Sequence, residues 1–303
     1  MKEIIKDIRK VAVVYDCDLT LTPGYMQEYL FLERFDFEAS ELFKYTQKII
    51  DEHKGNGLDI NSDTAYLHAM VVLSQTGGPL EGLDREVLNL AGRDIKYFPG
   101  IPDFFKQMSA YVNQRGEGKV ELEQYVVSTG LREMLRGSIL ENEMTGIAAG
   151  EFFYNNKGGL VGVAKAVTHA EKTAEIIKIS KGAYVREGVN ADTVMQRNQL
   201  HVPIEDMIYI GDGPSDVPAM SVVSGAGGST IAVYGTKAEQ MRLNAQFLLD
   251  NGYAQDAFEA DYRRGSKLHN SVLANLEKMV KSALSKEVQP WILEANSGPK
   301  HLF

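Results

Sequence analysis

The stretch VAVVYDCDLTLTPG, residues 11–24, decides how this chain is read. Val11, Ala12, Val13, Val14 and Tyr15 are apolar or aromatic β-formers with no polar alternation, the pattern of a strand buried on both faces of a parallel sheet. Asp16 and Asp18 follow at once, one residue apart. Loops at the carboxyl ends of parallel strands are where open α/β sheets bind ligands. Two carboxylates this close repel each other unless a cation lies between them or one keeps its proton. The stretch therefore has two readings: a buried strand ending in a site for a metal, a shared proton or both, or a strand followed by a solvated acidic turn.

Outward from this stretch, the rest of the chain sets limits. Its 303 residues allow one large domain, or a core with a smaller module. A hydrophobic share of 44% with 24% charged residues fits an ordinary soluble protein. The net charge of −9 argues against a nucleic-acid or anionic-membrane surface, while leaving room for a local site that takes a small anion. The single cysteine, Cys17, permits no intrachain disulfide and fits a reducing compartment; inside the acidic motif it is read as a packed small residue. The opening MKEIIKDIRK lacks the apolar core of a secretory signal, and no run reaches the length of a membrane span. The expectation is a cytoplasmic protein.

After Pro23 and Gly24 the character changes. Residues 25–35 and 39–53 carry apolar residues at helical spacing, with Tyr25, Tyr29, Phe31 and Phe35 read as helix-packing aromatics. Ser62 or Asp63 is the expected N-cap of a helix through Leu73, and another helix is expected over 84–91. Helix and strand then alternate: a helix over 102–115, a strand over 124–127 running into Ser128-Thr129-Gly130, a helix over 131–140, and a hairpin near 147–163 around NNKGG. A helix over 172–181 and a buried strand over 207–210 follow, the latter ending in GDGPSD, residues 211–216. A further strand is expected over 230–233, a short one at Leu248 and Leu249, and an amphipathic helix over 266–285, with residues 296–303 frayed. SGAGGS, residues 224–229, precedes a strand instead of following one, so it is read as a connector and not a dinucleotide loop.

Three strand ends thus carry polar residues in chain order: Asp16 and Asp18, then Ser128, then Asp212 and Asp216. In a doubly wound sheet such ends lie side by side. Acids, a hydroxyl and a lysine at one edge suit phosphoryl transfer, which needs a cation against phosphate, an anionic nucleophile, and donors for the remaining oxygens.

DCDLT, STG after a strand, a lysine at a helix start and GDGPSD, in this order, resemble the four motifs of the haloacid dehalogenase-like superfamily. The resemblance covers about residues 10–235. The helical insertion between the first two motifs and YFPG at its return are similar to the phosphoserine-phosphatase-like branch. It implies a Rossmann-like, doubly wound parallel α/β core over 1–22 and 96–303, with a helical tail over 261–303 and an α-helical cap over 23–95. It implies a Mg²⁺-dependent phosphatase acting on a small-molecule phosphate ester through an aspartyl-phosphate. Asp16 would be the nucleophile and Asp18 the general acid and base. The Asp16 and Asp212 side chains and the Asp18 carbonyl would hold Mg²⁺, with Asp216 orienting that shell. Ser128, Thr129, Gly130 and Lys172 would bind phosphate, with the Gly130 N–H at the start of the next helix. Lys178 and Lys181 are the other lysines in reach of that role, and Arg132 and His169 are neighbours to be placed. Many members of the superfamily have Gly where this chain has Leu19. The branch also reads the serine amine with a cap glutamate, for which Glu28 is a poor positional match, so phosphoserine is not the expected substrate. The helix from Tyr25 and the loop 55–63 are expected to choose the leaving group. Alternatives are a phosphotransferase or mutase, a receiver-type signalling domain, and a non-catalytic phosphate-binding protein.

Overall fold

The computed structural model describes residues 8–236 and 239–286, apart from the side chains of residues 32, 33 and 286. β1 (Arg9–Tyr15) is followed by four helices, α1 (Met26–Arg34), α2 (Ala39–Lys54), α3 (Ser62–Leu73) and α4 (Arg85–Gly92). Then come α5 (Asp103–Arg115), β2 (Val120–Leu131), the short α6 (Arg132–Gly137) and α7 (Leu140–Glu143), β3 (Gly146–Tyr154), β4 (Leu160–Lys165) and α8 (Glu171–Lys181). β5 (Met207–Gly211), α9 (Val217–Gly225), β6 (Ser229–Tyr234), α10 (Glu239–Asp250), β7 (Asp256–Glu259) and α11 (Lys267–Lys286) complete the order.

One seven-stranded sheet runs β4-β3-β2-β1-β5-β6-β7. Every pairing is parallel except that of β4, the antiparallel edge strand. Numbered by their order in the chain, the parallel strands read 3-2-1-4-5-6, the doubly wound arrangement whose ligand crevice opens where the order reverses, between β1 and β5. Both motifs that end in Asp, DCD and GDG, leave those two strands.

β1 occupies this place because it is apolar on both sides. Val11, Val13 and Tyr15 pack with α5 and α11 residues such as Phe105 and Leu276. Ala12 and Val14 pack with Ile176 of α8, Met220 of α9 and Leu248 of α10. All five β1 residues from Val11 to Tyr15 are 0% exposed, which a strand with one wet face would not permit.

The four inserted helices dock closely on the core. A Cβ at Gly92 would lie 1.9 Å from Met134 O, and one at Gly137 would lie 1.8 Å from Asn89 O, so α4 and α6 touch backbone to backbone through paired glycines. The two connections to the helices are also tied together, Phe98 N–H donating to Leu21 O at 2.9 Å.

Several local expectations are corrected. Leu248 and Leu249 lie in α10, not in a strand; Met241, Ala245 and Leu248 give that segment a buried helical face. The last strand is instead the short, half-polar β7. The N-cap of α3 is Asn61, whose side-chain oxygen accepts from Asp63 N (3.0 Å) and Thr64 N (3.1 Å), so neither Ser62 nor Asp63 caps it. β2 is longer than expected and runs through Ser128 and Gly130 to Leu131. The helix expected over 131–140 is split into α6 and α7 at Ser138, whose hydroxyl donates to Leu135 O and accepts from Leu140 N. Residues 296–303 lie outside the described residues.

Candidate active site

The site is built at the β1/β5 switch point. The Asp16 N–H donates to Ile210 O at 2.9 Å, which extends the β1–β5 pairing one residue and sets Asp16 beside the end of β5. On the other side of β1, Tyr15 pairs with Val126, so Asp16 and Ser128 leave neighbouring strands at the same end. The turn after Asp16 closes tightly: Leu21 N–H donates to Cys17 O at 2.7 Å, and Leu19 takes φ +62°. That left-handed conformation favours glycine, which gives a physical reason why Gly suits this position and why Leu carries strain there.

Lys172, fully buried in the first turn of α8, ties the cluster together. Its Nζ lies 3.0 Å from Asp16 Oδ1 and 2.7 Å from Asp216 Oδ1. Asp216 is itself fully engaged: Oδ1 also accepts from the Tyr209 hydroxyl (2.8 Å), and Oδ2 accepts from Asp212 N (3.0 Å) and Gly213 N (3.3 Å). Asp212 Oδ1 accepts from Thr20 Oγ1 at 3.3 Å, and the Thr20 carbonyl accepts from the Tyr262 hydroxyl at 2.8 Å. One carboxylate oxygen each from Asp16, Asp212 and Asp216 fall within 4.8 Å of one another.

The electrostatics show a shortage of positive charge. Burial pushes Asp16 up to about 6; Lys172 opposes that rise and Asp216 adds to it. Burial raises Asp212 well above the carboxylate range, with Asp216 and Asp16 adding and Lys172 opposing. Burial would lower Lys172, but Asp16 and Asp216 outweigh it and hold the ammonium protonated. One lysine thus faces three buried carboxylates. An all-oxygen cluster with excess negative charge fits a hard divalent cation such as Mg²⁺.

Asp18 stands apart from this cluster. Its Oδ1 accepts from Met26 N at 3.0 Å, at the start of α1, and its carboxylate is not among the three that converge. Burial first, then the Asp16 charge, pushes it up to about 8, against the Met26 hydrogen bond.

The Ser128 loop is also placed differently from expectation in one respect. Gly130 lies in β2, ahead of α6, and its N–H donates to Ser128 Oγ at 3.0 Å, so it does not open the next helix. The loop sits where β2 shifts register against β3, between Val127 and Leu131; Thr129 lies within this break. Met26 packs on it: Leu131 N–H donates to Met26 Sδ at 3.2 Å, and a Cβ on Gly130 would meet Met26 Cε at 2.3 Å.

The other named residues lie elsewhere. Lys178 pairs with Glu175 at 2.9 Å, and Lys181 donates to Ala191 O and Thr193 O. Arg132 pairs with Glu141 at 2.9 Å. His169 N–H donates to Asp63 Oδ2 at 3.3 Å, which joins the start of α3 to the loop before α8. Sequence reasoning missed Tyr209, Tyr262 and Met26. Tyr209 and Met26 are apolar in pattern, and Tyr262 sits in a polar tail, so only the fold reveals their polar contacts.

No family model matches the chain. It is 27% identical over 283 residues to an uncharacterized protein of Borreliella burgdorferi, covering 88% of this chain and 96% of that one. Among solved structures it is similar to a probable phosphoserine phosphatase from Vibrio cholerae in its unliganded form, with TM-score 0.51, 15% identity, and coverage of 93% of this chain and 69% of that one. It is likewise similar to a phosphoserine phosphatase in its apo form, with TM-score 0.50, 15% identity, and coverage of 87% and 98%. No described helix is long and apolar enough to cross a membrane. By strand order, by the helices inserted after β1 and by these likenesses, the chain shares the fold of these phosphoserine phosphatases.

Proposed function

We propose that this chain is a Mg²⁺-dependent phosphatase that hydrolyses a small-molecule phosphomonoester through an aspartyl-phosphate on Asp16. The observation that carries the reading is the Asp16–Lys172–Asp216 bridge beside Asp212, with Ser128 at the adjoining strand end. Residues 23–95 would act as a cap over this site, on a core formed by the described residues within 1–22 and 96–303.

Asp16, Asp212 and the main chain at Asp18 would hold the metal, with Asp216 fixing its surroundings. When bound, Mg²⁺ would neutralise phosphate charge and hold phosphorus against the nucleophile. Lys172 fixes one Asp16 oxygen and leaves the other for attack on phosphorus. As that O–P bond forms, the ester P–O bond breaks, and protonated Asp18 gives its proton to the departing alkoxide. Asp18, now a carboxylate, takes a proton from water as the water oxygen attacks the phosphorus of the aspartyl-phosphate. Inorganic phosphate leaves and the Asp16 carboxylate returns. The raised Asp18 supports its first role, because it holds a proton near neutral pH. Ser128, Thr129 and Lys172 donate to the phosphate oxygens.

The direct experiment incubates the protein with p-nitrophenyl phosphate and a panel of phosphate esters, with Mg²⁺ and with EDTA. Free phosphate equal to released alcohol, and lost in EDTA, is the expected result. Alcohol release without matching phosphate would show transfer to another hydroxyl and overturn hydrolysis.

Metal binding has a readout that needs no turnover. Asp16 and Asp18 are raised in the fold, so the folded state keeps their protons longer than the unfolded chain does. Their contribution to stability is complete below the ordinary carboxylate range and is lost as pH rises through about 6 and about 8. In EDTA the thermal midpoint is therefore expected to fall between about pH 5 and about pH 9. Mg²⁺ competes with the Asp16 proton but not with that of Asp18, whose carboxyl is no ligand, so its stabilisation should grow as pH rises through about 6. A Mg²⁺ effect that is absent, or constant with pH, would remove the cluster as a metal site.

A further inference from the structure

Gln27 sits on α1 directly after Met26, the residue that touches both Asp18 and the Ser128 loop. It is 5% exposed. Its Nε2 donates to the Tyr66 hydroxyl of α3 at 2.7 Å, while its Oε1 is buried with no hydrogen-bond partner among the described residues. A buried amide oxygen left unpaired is costly, and natural proteins satisfy nearly all of them. Its neighbour Met26 holds the start of α1 against Asp18, and its amide joins α1 to α3 through Tyr66. Burial pushes the Tyr66 hydroxyl above the ordinary tyrosine range, the Gln27 hydrogen bond opposes the rise, and the Asp18 charge adds to it. Next to Tyr66, at a centroid distance of 6.4 Å, is Phe43, which packs edge-on against Tyr25 at 6.1 Å. Tyr25 and Phe43 are each 43% exposed, and burial followed by the Asp212 and Asp18 charges raises the Tyr25 hydroxyl. A half-open aromatic pair and one unpaired amide therefore lie on α1 and the helices packed against it, at the end of α1 that the Met26 N–H ties to Asp18 Oδ1 at 3.0 Å.

We infer that Gln27 is a specificity residue that reads a hydroxyl on the leaving alcohol, so that the substrates are phosphate monoesters of polyols or sugars. The inference rests on the phosphatase reading, in which Asp18 protonates the leaving oxygen; a group hydrogen-bonded to Gln27 would be carried by a neighbouring carbon. The free amide oxygen accepts, and a hydroxyl donates to it. The Tyr66 hydroxyl both donates and accepts, so the amide can also present its NH₂; a hydroxyl matches either face, whereas an ammonium matches only the oxygen. A neutral amide also lacks the charge that would select an amino alcohol. Tyr25 and Phe43 supply an apolar surface for the carbon face of such a group.

The test compares the wild-type chain with Gln27→Met, which keeps length and loses hydrogen bonding, and with Gln27→Glu. kcat/KM is measured in Mg²⁺ for glycerol 2-phosphate, glucose 6-phosphate, O-phosphoserine and p-nitrophenyl phosphate. Gln27→Met should lower kcat/KM for the two hydroxyl-bearing esters at least about tenfold more than for p-nitrophenyl phosphate, the loss expected for one buried hydrogen bond to substrate. Gln27→Glu should move the ratio of phosphoserine to glycerol 2-phosphate at least about tenfold toward phosphoserine. Equal losses on all four esters, as a merely structural glutamine would give, overturn the inference. Calorimetry separates it from the phosphatase reading. In an Asp16→Asn background, Gln27→Met should weaken glycerol 2-phosphate at least about fivefold more than phenyl phosphate. That selectivity without any wild-type turnover would remove the phosphatase and keep Gln27 as a hydroxyl reader. Turnover with unchanged selectivity would do the reverse.

Discussion

Asp16→Asn is expected to abolish phosphate release while leaving the protein folded. An amide is too weak a nucleophile to form the acyl phosphate, so the path through Asp16 closes, and a loss of roughly 10⁴-fold or more in kcat is expected, equivalent to about 5.5 kcal/mol of barrier. The substitution is nearly isosteric, so packing beside Lys172 survives. It also removes a buried carboxylate that the fold already resists ionising, since burial pushes Asp16 up to about 6. In EDTA near pH 8 the variant should therefore melt no lower than the wild type, and its Mg²⁺ stabilisation should shrink because one ligand is gone. Rates on p-nitrophenyl phosphate, read with melting curves, check both parts. Turnover within tenfold of wild type would remove Asp16 as nucleophile, and a collapse of the melting temperature would show a structural role instead.

The fold was legible because β1 from Val11 onward and the whole of β5 carry no charged residue and no polar alternation, and strands of that kind are confined to the middle of a parallel sheet. Once those strands are central, their carboxyl ends must carry the ligand crevice, and Asp16 and Asp212 follow from counting. What stayed hidden depends on contacts between distant segments. The Tyr262 hydroxyl reaches the Thr20 carbonyl across 242 positions of sequence, and nothing local marks it. Tyr209 reads as one more buried strand residue, yet its hydroxyl fixes Asp216. Gln27 and Tyr66 lie on helices whose apolar spacing was readable, but spacing says nothing about which polar atom is left without a partner. β7 failed for another reason. Asp256–Glu259 is four residues with charges at both ends, too short and polar to compete with the leucine pair that belongs to α10.

Lys172→Met should be the most damaging single change to stability. The ammonium is 0% exposed and bridges Asp16 and Asp216 at 3.0 and 2.7 Å. Its removal leaves carboxylates facing one another in a site with little water, and breaking a buried ion pair from one side costs about 3–5 kcal/mol. The loss arises from stranded charge and not from lost volume, which yields a sharper expectation. Adding Asp216→Asn to Lys172→Met should recover about half of that loss, because Asn keeps acceptor and donor atoms beside Tyr209 without the charge. Activity should not return with stability, since the phosphate donor is absent in both, and kcat should stay down by roughly 10³-fold. Urea midpoints on the two single variants and the double variant measure the coupling. Additive losses in the double variant would mean that Lys172 and Asp216 are held by packing alone, and the bridge would then explain neither the stability of the site nor the orientation of Asp16.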